Sequence, residues 1–283
     1  MIALLYLLQF FFRLVFFLPV NVALAAMNTV AWVVATIALF TPVNTMIQRN
    51  LKLVFPEANE SQLAKKLIHN LSRSILELLC VPFFNHHHMQ KTVKFIGLDN
   101  LPQNQGAILL ALHTGNYELS QIAISGLGFS MVIIMKAEKD PLFKLANKSR
   151  TCKGAKLVNV LETDMYQAAQ KALTEKNFIG TLADTGALES RHEKLDFLGH
   201  KVPVATGWLT LAQRSGCPVI PVFAHRANGL NIITIHKPAV ITKENRDQVF
   251  HDLVKISEEF IRQHPEDWGM FINEYETKRM VGQ

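Results

Sequence analysis

Seven short apolar runs constrain this chain most: VKFIGL (93–98), GAILLAL (106–112), MVIIMK (131–136), AKLVNV (155–160), FIGTLA (178–183), PVIPVFAHR (218–226) and LNIITIHKPAV (230–240). Several are continuous rather than alternating, as in strands buried on both faces of a parallel sheet. Stretches of helical periodicity fall between them, near residues 117–125, 141–150, 165–175 and 205–214. Before them, ANESQLAKKLIHNLSRSILELLC (58–80) sets Leu63, Leu67, Leu71, Ile75 and Leu78 along one side of an amphipathic helix. The tail TKENRDQVFHDLVKISEEFIRQHPEDW (242–268) carries another, stopped by Pro265. Such alternation predicts an α/β fold with a mixed, largely parallel central sheet flanked by helices. With 283 residues there is room for one large α/β domain, over residues 48–283, and little for a second.

Residues 1–47 are of another kind. From Met1 to Gln48 the only charged side chain is Arg13, set among LLYLLQFFF, LVFFLPV and ALAAMNTVAWVVATIALF. A cleaved signal peptide would use Ala23–Ala25 as its cleavage site, but a basic leading region is missing and Arg13 interrupts the apolar run. A membrane span is long enough, although a central arginine costs roughly 2.5–3.5 kcal/mol on insertion scales. A helix lying in the interface would let Arg13 snorkel while the phenylalanines enter the acyl layer. The expectation is a retained hydrophobic membrane-anchoring helical segment, with spanning and lying flat both open. Arg49, Lys52, Lys65, Lys66 and Arg73 follow it and, by the positive-inside tendency, place the rest of the chain in the cytoplasm.

A net charge of +6 and an isoelectric point near 9.2 suit anionic headgroups, phosphorylated lipids or an acidic carrier protein. Nucleic acid is not expected as a partner, because the chain carries no aromatic RNA motif, zinc-finger spacing or basic helix. Cys80, Cys152 and Cys217 are few, odd in number and far apart, which argues for reduced thiols.

The run GAILLAL leads into HTGNYE, with His113 and Glu118 five positions apart. Within one helix, five steps of 100° leave two side chains about 140° apart, on different faces. Cooperation between them therefore needs a turn, with His113 ending a strand and Glu118 in the first turn of the next helix. Gly115 and Asn116 are turn formers, and Asn116 is a suitable N-cap for a helix starting YELSQIAI. Glu118 would also be favoured there by the helix dipole alone.

HTGNYE resembles the HX4D/E signature of the lysophospholipid acyltransferase superfamily. The segments RNLKLVFPEANESQLAKK (49–66), NKSRTCKGAKLV (147–158), LADTGALESRHEKLDFLGHKVPVATGWLTLAQRSGCPVIPVF (182–223) and RQHPEDW (262–268) are similar, in order, to the bacterial lipid A late acyltransferases. The resemblance covers nearly the whole chain. It implies a membrane-associated O-acyltransferase on the cytoplasmic face of an inner membrane. The acyl group would pass from a thioester, of acyl carrier protein in preference to coenzyme A, to a hydroxyl of a lipid A precursor. By the same resemblance His113 is the general base and Glu118 its supporting acid. Imidazole titrates near neutrality and can take the hydroxyl proton while a carboxylate stabilises the imidazolium. Neither a covalent nucleophile, a metal nor a prosthetic group is implied.

Arg150 stands where similar enzymes carry an arginine for catalysis or phosphate binding, although a helix C-terminal arginine also fits the dipole. Asp184 occupies a strand-end acidic position that the family uses beside the acceptor or in support of the site. With Lys136, at the end of MVIIMK, and Asn116 it is expected to contact substrate. The chain departs from the pattern at Tyr117, where tryptophan is common, at Thr185, where glutamine is frequent, and in the ending WGMFINEY (268–275). Those departures bear on acceptor and chain length, so a lysophospholipid, an ornithine lipid or another glycolipid stays open as acceptor.

Other readings are weaker. LADTGA contains an Asp-Thr-Gly, but an aspartic protease needs two such aspartates sharing a proton. His86, His87 and His88 are consecutive and cannot all face one ion from a regular helix or strand, so a surface loop is expected there. A non-enzymatic membrane scaffold is the remaining alternative.

Overall fold

The computed structural model describes residues 2–135, 141–159, 164–184, 192–273 and 277–278. At its centre β2 (Ala107–Ala111) is buried at every position, as its unbroken apolar run requires. The other strands of its sheet are β1 (Val93–Ile96), β3 (Met131–Met135), β4 (Lys156–Asn159), β5 (Phe178–Leu182), β8 (Val219–Ala227) and β9 (Leu230–Ile235). They lie in the order β1-β9-β8-β2-β5-β3-β4, and every neighbouring pair is parallel except β8 and β9. The sheet is thus mixed and largely parallel.

Both faces of the sheet are covered, and successive residues of β2 go to opposite sides. Ile108 and Leu110 join one core with Leu173, Leu209, Phe223 and Phe260. Three helices pack into it from the C-terminal half of the chain: α8 (Met165–Thr174), α9 (Gly207–Ser215) and α10 (Arg246–Gln263). Ala107 and Leu109 join the other core with Phe12, Met27, Leu76 and Ile122. Its helices are α1 (Ile2–Val15), α2 (Val20–Ala38), the upper part of α4 (Glu60–Cys80) and α6 (Tyr117–Gly126).

α2 lies along α4 through Ala23, Met27, Ala31 and Ala35, a stripe spaced by four residues. The three alanines of that stripe let the two backbones approach closely. It is long and apolar enough to cross a membrane, and about 22% of that stretch is buried inside the protein. Its outward face exposes Val22, Trp32, Val33, Val34 and Ile37, continued on α1 by Leu7, Phe10, Phe11 and Leu14. Next, α3 (Pro42–Val54) opens on a proline, runs without a break through residues 47 and 48, and also packs on α4.

Two local expectations need correction, and one element was not expected. In α4 Ile75 is 56% exposed, and the buried face is Ala64, Leu67, Ile68, Ser72, Leu76, Glu77, Leu79 and Cys80. Partners on several sides of this helix, α2 and α3 among them, widen and rotate the face that a single apolar stripe predicts. The three histidines form no loop: α5 (His86–Gln90) is a short helix in which Asn85 and His88 cap each other and His88 is buried against Phe16 and Phe84. Residues 192–205 add a strand pair, β6 (His192–Phe197) and β7 (His200–Ala205), turned tightly at Leu198 and Gly199, both at positive φ. The remaining helix, α7 (Pro141–Arg150), falls on its expected residues, whereas Lys136 lies outside the described residues.

Because Leu109 is 2% exposed within the second core, Leu109→Ala should cost about 2–5 kcal/mol of stability, read as a lower thermal midpoint by circular dichroism.

Candidate active site

Strand register places the central pair. Ala111 of β2 stands opposite Leu182 of β5, so two residues further along each parallel strand come His113 and Asp184. Both are at the carboxyl ends of parallel strands, where α/β sheets gather their ligands. His113 Nδ1 lies 2.9 Å from Asp184 Oδ1, and the His113 backbone N–H donates to Oδ2 at 2.8 Å. The indole N–H of Trp268 also donates to Oδ2, at 2.8 Å. The imidazole is 19% exposed and the carboxylate fully buried.

Burial by itself would raise the Asp184 pKa. The charge on His113 and the hydrogen bonds from His113 and Trp268 outweigh it and hold the carboxyl below its ordinary value. An ionised Asp184 accepts Nδ1–H, which assigns the lone pair of neutral His113 to Nε2. Tyr117 stands edge-on to the imidazole, with ring centroids 4.9 Å apart. Burial, followed by the Glu118 carboxylate, pushes its phenol up, with Arg150 acting against them.

The loop after β2 is gripped by the segment after α10. Gly269 N–H donates to the His113 carbonyl at 2.6 Å, Gly115 N–H donates to the Asp267 carbonyl at 2.8 Å, and Thr114 pairs with Trp268 as an isolated bridge. Gly115 has φ +55°, and a Cβ there would sit 2.7 Å from the Ala224 backbone. Glycine is therefore required twice, for conformation and for space. The Asp267 carboxylate accepts from Arg226 N–H and from Asn70 Nδ2, each at 3.0 Å, and burial still raises its pKa to about 6.

Asn116 caps α6, as expected, its Oδ1 accepting Leu119 N–H at 3.0 Å. It is 2% exposed, and its Nδ2 donates to Glu77 Oε2 at 2.9 Å. The expected substrate contact gives way to a helix cap tied to α4. Glu118 does fall in the first turn of α6, but its carboxylate is paired bidentately with Arg150: Nε donates to Oε2 at 2.8 Å and Nη2 to Oε1. Arg150 Nη1 reaches Asn147 Oδ1 at 2.7 Å and the Met135 sulfur at 3.5 Å. Thus Asp184, not Glu118, is the acid at His113 Nδ1, and the Arg150 guanidinium expected to bind an anion is engaged with protein groups. Parallel register puts an acid two residues past β5 within reach of the imidazole, whereas a one-turn offset in α6 aims Glu118 at α7.

Sequence reasoning gave no role to Asp267, Trp268, Arg226 or Glu77. The run PEDW after a proline-stopped helix was one available signal, and a lone acid inside SILELLC was another. Among the described residues no cluster of three or more histidine, cysteine or acidic side chains could hold a metal ion.

Gly115→Ala should abolish activity, and purified protein should show a lowered thermal midpoint, because backbone atoms on both sides must move. Asp267 also gives a signed pH effect. Its folded pKa, about 6, lies above the unfolded value of 3.8, so its contribution is present in full below pH 3.8 and is lost as pH rises through about 6. Asp267→Asn should remove a decline on the order of 3 kcal/mol across that window, measured as the difference in unfolding free energy between wild type and variant at each pH.

The search for individual characterised proteins similar to this chain finds no significant match. Among solved structures, a 1-acyl-sn-glycerophosphate acyltransferase, PlsC, from Thermotoga maritima aligns with a TM-score of 0.42 and 14% identity, over 86% of this chain and 98% of its own. The family model described as bacterial lipid A biosynthesis acyltransferase matches residues 1–277. The chain therefore belongs to the bacterial lipid A biosynthesis acyltransferase family.

Proposed function

We propose that this acyltransferase moves a fatty acyl chain from a thioester of acyl carrier protein to a hydroxyl of a lipid A precursor, with His113 as general base. The observation that carries the reading is a partly exposed imidazole held through Nδ1 by a buried, ionised carboxylate. His113 Nε2 takes the acceptor proton as the hydroxyl oxygen attacks the thioester carbonyl. Asp184 stabilises the imidazolium that forms, which is the division of labour in a serine hydrolase triad. Collapse of the tetrahedral intermediate breaks the carbon–sulfur bond, and the departing thiolate takes the proton back from Nε2. Acyl group, proton and electron pairs balance without a covalent enzyme intermediate.

Glu118 and Arg150 act in this reading as a paired strut between α6 and α7, which keeps the first turn of α6 and the edge-on Tyr117 in place. Because its two charges cancel, the pair adds little net charge to the site.

The apolar outward face of α1 and α2 supports attachment to a membrane. The cytoplasmic face of an inner membrane is the side from which acyl carrier protein can deliver its thioester. Acyl carrier protein is favoured over coenzyme A by resemblance, and the basic charge of the chain suits an acidic carrier without setting it apart from the likewise anionic coenzyme A.

Mass spectrometry of lipid A and phospholipids from cells carrying wild type, His113→Ala or no protein tests the proposal. One added acyl mass on lipid A with wild type alone is expected. A lysophospholipid, ornithine lipid or other glycolipid acylated in its place would move the acceptor, and unchanged lipids would favour a scaffold. Asp184→Asn, which keeps the shape but disturbs the tautomer and charge, should lower kcat by about 10³–10⁴, measured with purified enzyme.

A further inference from the structure

We infer that Glu77, outside the reacting groups, is a positioning residue that fixes both walls of the His113 site; the inference rests on His113 acting as the general base. The side chain of Glu77 is fully buried in α4. Its Oε1 accepts from Arg73 Nε and Arg226 Nη1, each at 3.0 Å. Its Oε2 accepts from Arg226 Nη2, Asn116 Nδ2 and Asn231 Nδ2, each at 2.9 Å.

Two routes lead from this carboxylate to the imidazole. Through Asn116, which caps α6, Glu77 sets where the helix begins, and the next residues are Tyr117, edge-on to His113, and Glu118, paired with Arg150. Through Arg226, whose backbone N–H donates to Asp267, it braces the segment that accepts Gly115 N–H and sends the Trp268 indole to Asp184. One route orders the aromatic wall of the site and the other its acidic wall.

Five N–H donors converge on about four acceptor sites, so the carboxyl must be ionised: a protonated one would lose an acceptor and turn a hydrogen toward the donors. Burial works against its charge, but Arg226 and then Arg73 and Asn116 more than compensate, so the carboxyl stays below its ordinary value. Glutamine in its place keeps the shape but turns an N–H pair toward other N–H donors. The α6 cap or the Arg226 fork must then shift.

The test uses the full chain in mixed micelles, with lauroyl, myristoyl and palmitoyl thioesters of acyl carrier protein and a tetra-acylated lipid A precursor. Glu77→Gln should lower kcat at least tenfold with either KM changed less than twofold, and should displace the acid limb of the pH–rate profile. Asn116→Ser keeps a capping oxygen but cannot reach Glu77. It should lower kcat about threefold to tenfold and move the same limb while its thermal midpoint stays near wild type. If Glu77→Gln does not fold, Asn116→Ser decides. Wild-type kcat and pH profile in the folded variants, with only a lower midpoint, would reduce Glu77 to a stability role and overturn the inference. Activity retained by His113→Ala would sink the general-base reading itself, whereas an inactive His113→Ala beside an unaffected Asn116→Ser would sink only this inference.

Discussion

The Asp184 carboxylate is the constraint on which the rest of the site depends. It accepts from the main chain of β2's extension, from the imidazole and from the indole of Trp268. Three segments remote in sequence, near residues 113, 184 and 268, are thereby fixed at one point. Strand register brings the first two together at no added cost, because the sheet is already paired up to Ala111 and Leu182. Trp268 must instead be carried in by α10 and the tight turn that Pro265 opens. Its indole is fully buried, so a single buried hydrogen bond fixes a large apolar side chain and the acid together.

Two buried carboxylates lie close to the same loop and are handled alike. Asp184 and Glu77 each lose their hydration and each remain ionised because donors crowd around them. Such groups contribute little net stability against a well-packed apolar replacement, yet removing one partner from a buried pair costs about 3–5 kcal/mol. Their depressed pKa values mean that this contribution is present above the unfolded carboxylate range and is lost as pH falls through the folded values. Asp267 runs the opposite way, with burial dominating and a pKa of about 6. Two hydrogen-bond donors, neither of them a charged side-chain group, leave it short of the compensation that Arg226 gives Glu77.

Much of the fold could be read from the chain. The seven apolar runs became the seven strands of the main sheet, and HTGNYE became the strand end, turn and capped helix that its spacing demanded. The strand pair at 192–205 escaped because EKLDF and HKVPV lack the continuous apolar run that marked the other strands, and the turn is Leu-Gly, without the usual Asn or Asp. In the site, His113 was legible as the end of an apolar strand next to turn formers. The acid paired with it was not, since which carboxylate reaches Nδ1 depends on strand order, and β5 pairs with β2 only after α6, β3, α7, β4 and α8 have intervened. The same limit hid the contacts of Trp268 with Asp184 and of Glu77 with Arg226, which span 84 and 149 residues.

α4 joins the two halves of the proposed reading. Along one flank it takes Ala23, Met27, Ala31 and Ala35 of α2, and near its C-terminal end it presents Glu77 to Asn116 and Arg226. The apolar face of α2 therefore has a fixed bearing on the His113 loop, transmitted through a single rigid helix. A helix stitched along α4 in this way cannot be treated as a free tether. If it sits in a bilayer with these contacts intact, α4 and the site come with it, and the acceptor hydroxyl need not leave the lipid surface to reach the imidazole. On that view the three alanines of the stripe matter as much as the apolar side chains facing outward, because they set how closely α2 approaches α4 and the site.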